Sequence, residues 1–242
     1  MDIKLLYYKF KHKYIPSMIK KGEFKYILEK SGVKIGKGTM FYDSSRVNID
    51  RTRPYLLEIG EYCKITSGVT ILTHDYSRSV LRRVYGDIVG EGRKTVIGNN
   101  VFIGMNAIVL MGTHVGDNVI IGAGSVVSGK VPSNVVVAGN PAKVICTLEE
   151  FYLKRKAQVL SSAVECVNAF FDAEGRYPNV KEVGAFWPLF MERNEQAVLD
   201  SGVFVHLNGD CYEEIIRDFL QTEATFSSFD DFLNYCKVNR NE

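Results

Sequence analysis

A six-residue period dominates the middle of this 242-residue chain. Its inward positions are β-branched and lie at Ile97, Ile103, Val109, Val115, Ile121 and Val127. A small or β-branched residue follows four positions after each of them, and Gly follows directly at Gly98, Gly104, Gly116 and Gly122. Neither an α-helix nor an alternating strand has this period, whereas a chain that turns a corner every six residues does. The pattern predicts a β-helix with three short strands per coil of about eighteen residues, and glycines that relieve positive φ at the corners.

The same period extends upstream and contains one long insertion. Its upstream positions are Ile35, Phe41, Val47, Ile59, Ile65 and Ile71, and it fails at Arg53. From Ile71 to Ile97 is 26 residues, four repeats plus two, so residues 72–95 must leave the coil as a loop and return. A loop of this length is either functional or disordered. Because it begins beside His74, the functional interpretation is favoured.

Composition restricts the class of protein. The chain has 46% hydrophobic and 24% charged residues, which is typical of a soluble globular protein. It lacks both an apolar run of the roughly 20 residues that span a membrane and the pattern of a secretory signal. Its five cysteines are odd in number and lack C-x-x-C spacing, which argues against a disulfide framework and a zinc site. We therefore expect reduced thiols, no metal and a cytoplasmic location.

Helical segments are predicted on both sides of the repeat. Residues 1–30 contain eight lysines against three acidic residues and several aromatic ones. They predict a helical cap on the β-helix with lysines in water, or else a weak contact with an anionic membrane surface. Nucleic acid is not expected as a partner, because no nucleic-acid-binding motif accompanies the charge. After Ile145 helical spacing replaces the period, with a helix end at Gly175 and a helix start at Ser228. The predicted domains are 1–30, 31–147 with the loop at 72–95, and 148–242.

The stretch from Thr95 to Ile145 resembles the hexapeptide-repeat O-acetyltransferases. Its unbroken repeat, the coil GAGSVV and the closing VVAGNPAKVI carry this resemblance, which covers residues 33–146. The family includes galactoside, maltose and xenobiotic acetyltransferases and enzymes that modify capsular and O-antigen polysaccharides. The resemblance implies a mainly β fold: a left-handed parallel β-helix with a short N-terminal helical segment and a C-terminal α-helical extension.

The resemblance also implies where the chemistry lies. The family's catalytic histidine stands where the loop leaves the coil, which is His74 here, and imidazole suits proton removal from an attacking hydroxyl. Asp75 either orients His74 or caps the turn. His114 lies either on an outer face of the coil or in a groove between subunits. The acceptor-binding Asn of the sugar acetyltransferases matches Asn48 most nearly.

Acetyl-CoA is the implied acyl donor, held in the groove between subunits of a homotrimer. The matching positions for its contacts are Met105, Ala123, Ser128, Gly129, Lys130 and Lys143. Met105 replaces a serine of the sugar acetyltransferases. Their Thr-Lys pair is replaced by Ser128-Gly129, with the lysine one position later. Lys130 is therefore either a phosphate contact or a solvated turn lysine.

The sequence predicts an acetyl-CoA-dependent O-acetyltransferase that acts on a hydroxyl of a sugar acceptor in capsular or O-antigen polysaccharide biosynthesis. The acceptor is a small molecule or a lipid-linked oligosaccharide. The alternatives are a xenobiotic O-acetyltransferase, an N-acetyltransferase of a nucleotide amino sugar, and a non-catalytic scaffold. A zinc enzyme resembling the γ-type carbonic anhydrases needs three imidazoles, and the repeat region offers only His74 and His114.

Overall fold

The structure, a computed structural model, describes residues 2–15, 21–203, 205 and 209–241. It forms two compact units, Met1–Phe151 and Tyr152–Glu242. The remaining positions of the predicted helical segments, 1, 16–20, 204, 206–208 and 242, lie outside the described residues. The boundary between the units lies within a helix that begins at Leu148, where the sequence predicts the start of the C-terminal module.

The repeat folds into short strands that stack in three parallel sheets. Sheet 1 contains β1 (Lys34–Ile35), β4 (Leu57–Ile59), β7 (Thr95–Ile97), β10 (His114–Val115) and β13 (Lys130–Val131). Sheet 2 contains β2 (Met40–Phe41), β5 (Lys64–Ile65), β8 (Phe102–Ile103), β11 (Ile120–Ile121), β14 (Val135–Ala138) and the antiparallel β15 (Lys143–Thr147). Sheet 3 contains β3 (Asn48–Ile49), β6 (Thr70–Ile71), β9 (Ile108–Val109) and β12 (Val126–Val127).

The strand register confirms the eighteen-residue coil. Val96 pairs with His114, and Ile103 pairs with Ile121, eighteen positions apart in each case. Lys64 pairs with Phe102, 38 positions on, so the predicted loop inserts 20 residues without shifting the next coil. The parallel sheets and the repeat fit the left-handed β-helix. "Mainly β" is not confirmed for the whole chain, because helices hold more of the described residues than strands do.

The first coil departs from the predicted frame. The frame places Val47 as the inward strand residue, but the structure places Ile49 there, paired with Ile71. Two extra residues in the preceding corner shift the strand, and Val47 takes the buried slot that Val69 takes in the next coil. Asp50, which follows Ile49 directly, is displaced with it.

The corners between sheets 1 and 2 form a regular edge, which we call the ladder edge (residues 36–39, 60–63, 98–101, 116–119 and 132–134). Asn100, Asn118 and Asn134 take positive φ, at 52°, 57° and 60°. Their amides are hydrogen-bonded in a row, from Asn100 Nδ2 to Asn118 Oδ1 (3.0 Å) and from Asn118 Nδ2 to Asn134 Oδ1 (2.9 Å). The predicted role of glycine is wrong here. Gly98 lacks positive φ. A Cβ atom added at this position would lie 2.5 Å from the carbonyl oxygen of Gly116, so the close stacking of the coils requires glycine here.

Two helices precede the coil. Helix α2 (Lys21–Ser31) packs Phe24 and Leu28 into the same core as Phe41. Helix α1 (Ile3–Tyr14) packs against α2, and Lys11 is buried there at 2.7 Å from Glu23. The prediction that the lysines of this segment lie in water is therefore wrong for Lys11. The large apolar residues of α1 that face solvent instead are Ile3, Leu6, Tyr7, Phe10 and Tyr14.

The C-terminal unit is helical and has its own apolar core around Trp187, Phe219 and Phe232. Its helices are α4 (Leu148–Glu174), α5 (Glu195–Ser201), α6 (Tyr212–Leu220) and α7 (Phe229–Val238). Helix α3 (Arg78–Tyr85) belongs to the inserted loop of the first unit. Gly175 follows α4 with φ 68°, and Ser228 accepts a hydrogen bond from the Asp231 N–H, as the sequence predicts. Among the described helices, none is long and apolar enough to cross a membrane.

Candidate functional site

The corners between sheets 3 and 1 form the most irregular edge of the coil, which we call the arm edge (residues 50–56, 72–94, 110–113 and 128–129). In two successive coils the chain makes a long excursion here. The first contains the short helical turn Pro54–Leu56, and the second carries α3. The residues that leave β3 and β6 at this edge, Asp50 and His74, therefore lie on adjacent coils because their strands are paired.

Asp50 and His74 form the central pair of the candidate site. The Asp50 Oδ2 atom lies 2.5 Å from His74 Nδ1. Asp50 Oδ1 accepts hydrogen bonds from the Thr52 N–H (3.0 Å) and hydroxyl (2.7 Å). Asp50 Oδ2 also accepts hydrogen bonds from the Thr73 N–H (3.1 Å) and hydroxyl (2.5 Å). The carboxylate is held by four donors of the chain in addition to the imidazole, so its position is fixed.

The charge state of Asp50 follows from these contacts. Burial of its side chain, which is 5% exposed, favours the neutral acid, but hydrogen bonds from Thr73, Thr52 and His74 outweigh burial. The net effect lowers the pKa of Asp50 well below its usual range. Asp50 is therefore a carboxylate at neutral pH.

This carboxylate determines which nitrogen of His74 carries a proton. An ionised carboxylate only accepts hydrogen bonds, so His74 Nδ1 must donate to Asp50 Oδ2. The lone pair of the neutral ring then lies on Nε2. The His74 side chain is 31% exposed, compared with 5% for Asp50, so the imidazole lies between a buried anion and the surface. This arrangement prepares Nε2 to accept a proton.

Asp75 has the second of its two predicted roles. Its Oδ1 atom accepts hydrogen bonds from the Ser77 N–H (2.9 Å) and the Ser77 hydroxyl (2.7 Å). These hydrogen bonds cap the turn that leads into α3, and they are the main cause of the lowered pKa of Asp75. The carboxylate that contacts the His74 ring is that of Asp50.

The loop that begins at His74 is an arm with a fixed base and an exposed tip. The Arg53 guanidinium donates to the Glu91 carbonyl (2.7 Å), and the Arg93 N–H donates to the Thr73 carbonyl (3.0 Å). Beyond this base the described apolar side chains face solvent: Val80, Leu81, Val84, Tyr85, Ile88 and Val89. An apolar surface of this size is typical of an interaction site.

A cleft of about 510 Å³ lies beside the pair, where α1 and α2 meet the first coil. Its lining consists of Lys9, Ile27, Ser31, Asn48, Ile49, Asp50, Arg51 and Thr52. Thr52 Oγ1 also lies 3.2 Å from His74 Nδ1, so the cleft reaches the Asp50–His74 pair. Asn48, predicted to bind the acceptor, lines the same cleft as Thr52.

The residues predicted to contact the donor do not form one cluster. Met105 and Ala123 lie on the edge between sheets 2 and 3, where the Gly124 N–H donates to the Met105 carbonyl (2.8 Å). Ser128 and Gly129 lie on the arm edge, two coils beyond His74. Lys143 begins β15 and is exposed. A single chain therefore separates these positions onto different edges.

The two histidines of the repeat region have different surroundings. His114 lies on the exposed outer face of sheet 1, paired across strands with Val96 and Lys130. Lys130 is exposed on β13 beside it. Among the described residues, no group of three His, Cys, Asp or Glu side chains is placed to hold a metal ion. The five cysteines are all free, and Cys63 is a buried core residue.

Sequence reasoning did not identify Asp50, Thr52 and Thr73. These residues are recognised only from the pairing of β3 with β6, which places Asp50 beside the residues that follow Ile71. The six-residue frame assigned Val47 to the strand position that Ile49 occupies, so this pairing could not be found. A carboxylate 24 positions before the histidine has no recognisable spacing in the sequence.

Comparisons with known proteins agree with this architecture. Residues 94–129 match the family described as bacterial transferase hexapeptide (six repeats). The chain is 40% identical over 127 residues to Protein CapG of Staphylococcus aureus, covering 52% of this chain and 73% of that protein. It is 34% identical over 130 residues to the putative acetyltransferase YvoF of Bacillus subtilis, covering 52% and 68%. It is 35% identical over 114 residues to the galactoside O-acetyltransferase of Escherichia coli, covering 47% of this chain and 54% of that enzyme.

Proposed function

Because the chain belongs to the hexapeptide-repeat acetyltransferase family and is an acyltransferase, we propose that it transfers an acetyl group from acetyl-CoA to a hydroxyl of a sugar acceptor. The observation that carries this proposal is the Asp50–His74 pair at the base of the arm. It fixes the tautomer of His74, with the proton on Nδ1 and the lone pair of the neutral ring on Nε2, and leaves that ring partly exposed at the surface. An acyl transfer to a hydroxyl requires a base of this kind.

The residues of the pair would act in sequence. Acetyl-CoA, when bound, supplies the acetyl group as a thioester and a thiolate as the leaving group. His74 Nε2 takes the proton of the acceptor hydroxyl while its oxygen forms a bond to the acetyl carbonyl carbon. Asp50 stabilises the imidazolium through the Nδ1–H hydrogen bond. His74 then returns the proton to the sulfur as the carbon–sulfur bond breaks, so no covalent enzyme intermediate is needed.

The placement of the predicted donor contacts supports a homotrimer. The predicted contacts lie on two edges of one chain, with Met105 and Ala123 on one and Ser128 and Gly129 on the other. Packing the edges of neighbouring copies against each other would bring the two sets together in one groove. The exposed apolar side chains of the arm, among them Val84 and Ile88, would be buried by such packing. We propose that Lys130 and Lys143 contact phosphates in this groove.

The acceptor is proposed to be a sugar of a capsular or O-antigen building unit. The similarity to an enzyme named galactoside O-acetyltransferase supports a sugar hydroxyl. The position of Asn48 in the cleft beside His74 supports an acceptor that is bound by hydrogen bonds. The enzyme would act in the cytoplasm, where acetyl-CoA is made.

Helix α1 supports a weak contact with a membrane surface, where a lipid-linked acceptor would lie. Leu6, Phe10 and Tyr14 belong to its exposed apolar stripe, and the helical period places Lys9 and Lys13 along one border of that stripe. The wild-type protein should float with phosphatidylglycerol vesicles but not with phosphatidylcholine vesicles, and Phe10→Glu should abolish flotation. Equal flotation of Phe10→Glu, or a change only in its oligomeric state, would contradict the contact.

The test of the function is His74→Ala, assayed by CoA release with sugars, nucleotide sugars and lipid-linked sugars. We expect turnover to fall about 10²–10⁴-fold, with binding of acetyl-CoA retained, because only the proton acceptor is lost. His114→Ala is the comparison variant, since it removes the other histidine of the repeat region, which lies beside Lys130 on sheet 1, and it should lower turnover far less than His74→Ala. Unchanged turnover of His74→Ala would refute the assignment. Turnover of chloramphenicol or streptogramin alone would indicate a xenobiotic enzyme, and acetylation only of amino sugars would indicate N-acetylation.

A further inference from the structure

The cleft beside the catalytic pair has a positive charge that the acyl-transfer chemistry does not use. Lys9 on α1 and Arg51 after β3 both line it. Among the described residues, neither side chain forms an ion pair with a carboxylate. Burial and the nearby positive charge of Arg51 both lower the pKa of His12, which favours its neutral form, so Lys9 and Arg51 supply the positive charge of the cleft. Two unpaired cations in one concave site are typical of an anion-binding site.

The acid in the lining does not neutralise these cations. Asp50 accepts hydrogen bonds from Thr52, Thr73 and His74, and its side chain is only 5% exposed. Its carboxylate is therefore directed toward those donors. Apart from Asp50, the polar and charged residues that line the cleft are Lys9, Ser31, Asn48, Arg51 and Thr52.

The position of the cleft along the coil indicates which substrate it serves. The cleft lies at the first coil, His74 leaves the second, and the predicted donor contacts Met105, Ala123 and Ser128 lie on the third and fourth. Successive coils are separated by the strand spacing of about 4.8 Å. Along the axis of the coil, His74 thus lies between the coil that forms the cleft and the coils that carry the predicted donor contacts, which favours the cleft as part of the acceptor side.

We propose that this cleft binds a phosphate or pyrophosphate group of the acceptor, so that the enzyme acetylates a phosphorylated sugar. The proposal rests on the proposed function and names the substrate class of the same site. The Arg51 guanidinium can bind two phosphate oxygens at once, and Lys9 adds a second charge. Asn48 supplies an amide for the sugar beside them. Sugar 1-phosphates, nucleotide sugars and sugars on lipid pyrophosphates share this chemistry.

A binding experiment tests the cleft without requiring turnover. Inorganic pyrophosphate is titrated calorimetrically into the enzyme saturated with CoA, so that phosphate contacts of the donor are already filled. The wild type should bind it, and Lys9→Gln with Arg51→Gln should weaken binding at least about tenfold, since charge-assisted hydrogen bonds are lost. The control pair, Lys13→Gln with Arg46→Gln, removes the same charge at exposed positions outside the cleft and should bind normally. No binding by the wild type, or an equal loss in the control, refutes the proposal.

A kinetic experiment identifies the phosphorylated acceptor and separates the two proposals. A neutral glycoside, its sugar 1-phosphate, the nucleotide sugar and the lipid-linked sugar are compared for CoA release. In the cleft variant the KM of the preferred phosphorylated acceptor should rise about tenfold or more, while the KM of acetyl-CoA stays constant. Turnover of neutral and phosphorylated sugars with equal kcat/KM would refute the phosphate site and leave the acetyltransferase intact. A rise in the KM of acetyl-CoA would assign the cleft to the donor, and no CoA release with any acceptor would refute the proposed function itself.

Discussion

The ladder edge and the arm edge of the same β-helix use their polar side chains in opposite ways. At the ladder edge the corners have constant length, and Asn100, Asn118 and Asn134 bond to one another from coil to coil. At the arm edge two successive corners are long and different, and Asp50 is hydrogen-bonded to a partly exposed His74. The first edge satisfies its own polar groups, whereas the second leaves one ring nitrogen available to a substrate.

This difference shows how one repeat can separate stability from chemistry. A repeated corner places identical groups one coil apart, where they form hydrogen bonds with each other. An interrupted corner places unlike groups, a carboxylate and an imidazole, on adjacent coils. The regular edge should therefore respond to mutation mainly in stability, and the irregular edge mainly in activity.

Among the variants that test this difference between the edges, Asp50→Asn is expected to have the largest effect. The Asn side chain can donate to His74 Nδ1, which favours the opposite tautomer and removes the lone pair from Nε2. We expect kcat to fall about 10²–10⁴-fold while the KM of acetyl-CoA changes little. The ¹⁵N chemical shifts of His74 should report the Nδ1–H tautomer in the wild type and its loss in the variant. An unchanged tautomer with full activity would show that Asp50 does not orient the base.

Asp50 should also make the stability of the folded protein depend on pH. Its pKa is lowered in the folded protein, so its carboxylate stabilises the fold above the pKa of the unfolded chain, about 4. This contribution is lost as the pH falls from about 4 toward the lowered pKa. The melting temperature of the wild type should therefore drop more steeply below pH 4 than that of Asp50→Asn. Parallel curves for the two proteins would contradict the ionised, hydrogen-bonded state of Asp50.

The ladder edge is tested by Asn118→Ala and Asn118→Gly. Both remove the hydrogen bonds to Asn100 and Asn134, but only Ala also strains the positive φ of 57°. We expect Asn118→Ala to lower the free energy of unfolding by about 1–3 kcal/mol and Asn118→Gly by less. Turnover per folded molecule should be unchanged at a temperature well below the transition. A loss of turnover without a loss of stability would show that the two edges are not separate.

The smallest effect is expected from Asp75→Asn. The amide oxygen of Asn can still accept the hydrogen bonds from Ser77 that cap the turn before α3. We expect kcat to stay within about twofold of the wild type. A fall comparable to that of Asp50→Asn would return the orienting role to Asp75.

The sequence predicts the regular part of the molecule and loses accuracy where the corners change length. The period identifies the buried positions from Ile59 to Val127, because each inward residue repeats the same environment. It misplaces the strand at Val47 and with it Asp50, since two extra corner residues shift the register. The sequence finds His74, which begins the interruption, but not the carboxylate that the pairing of β3 with β6 brings to it.

The flanking helices show a second limit. The sequence predicts their ends well, because Gly175 and Ser228 act through local hydrogen bonds. It does not predict that Lys11 is buried against Glu23 while Phe10 faces solvent. The face of a helix that becomes buried depends on what the helix packs against. The two faces of α1 are too similar in residue type for the sequence to show which one this is.

The arm begins and ends within one edge, and strand pairs on both sides of it hold the coil in register. Arg53 and Arg93 fix its base by bonding to backbone carbonyls, whatever side chains lie beyond. The register of the coil is therefore independent of the number of residues in the arm. The entropic cost of closing a longer loop also grows only slowly with its length. The segment from residue 76 to residue 90 is thus an exchangeable module beside a constant base. Replacement of this module would leave the Asp50–His74 pair and the stacked coils as they are.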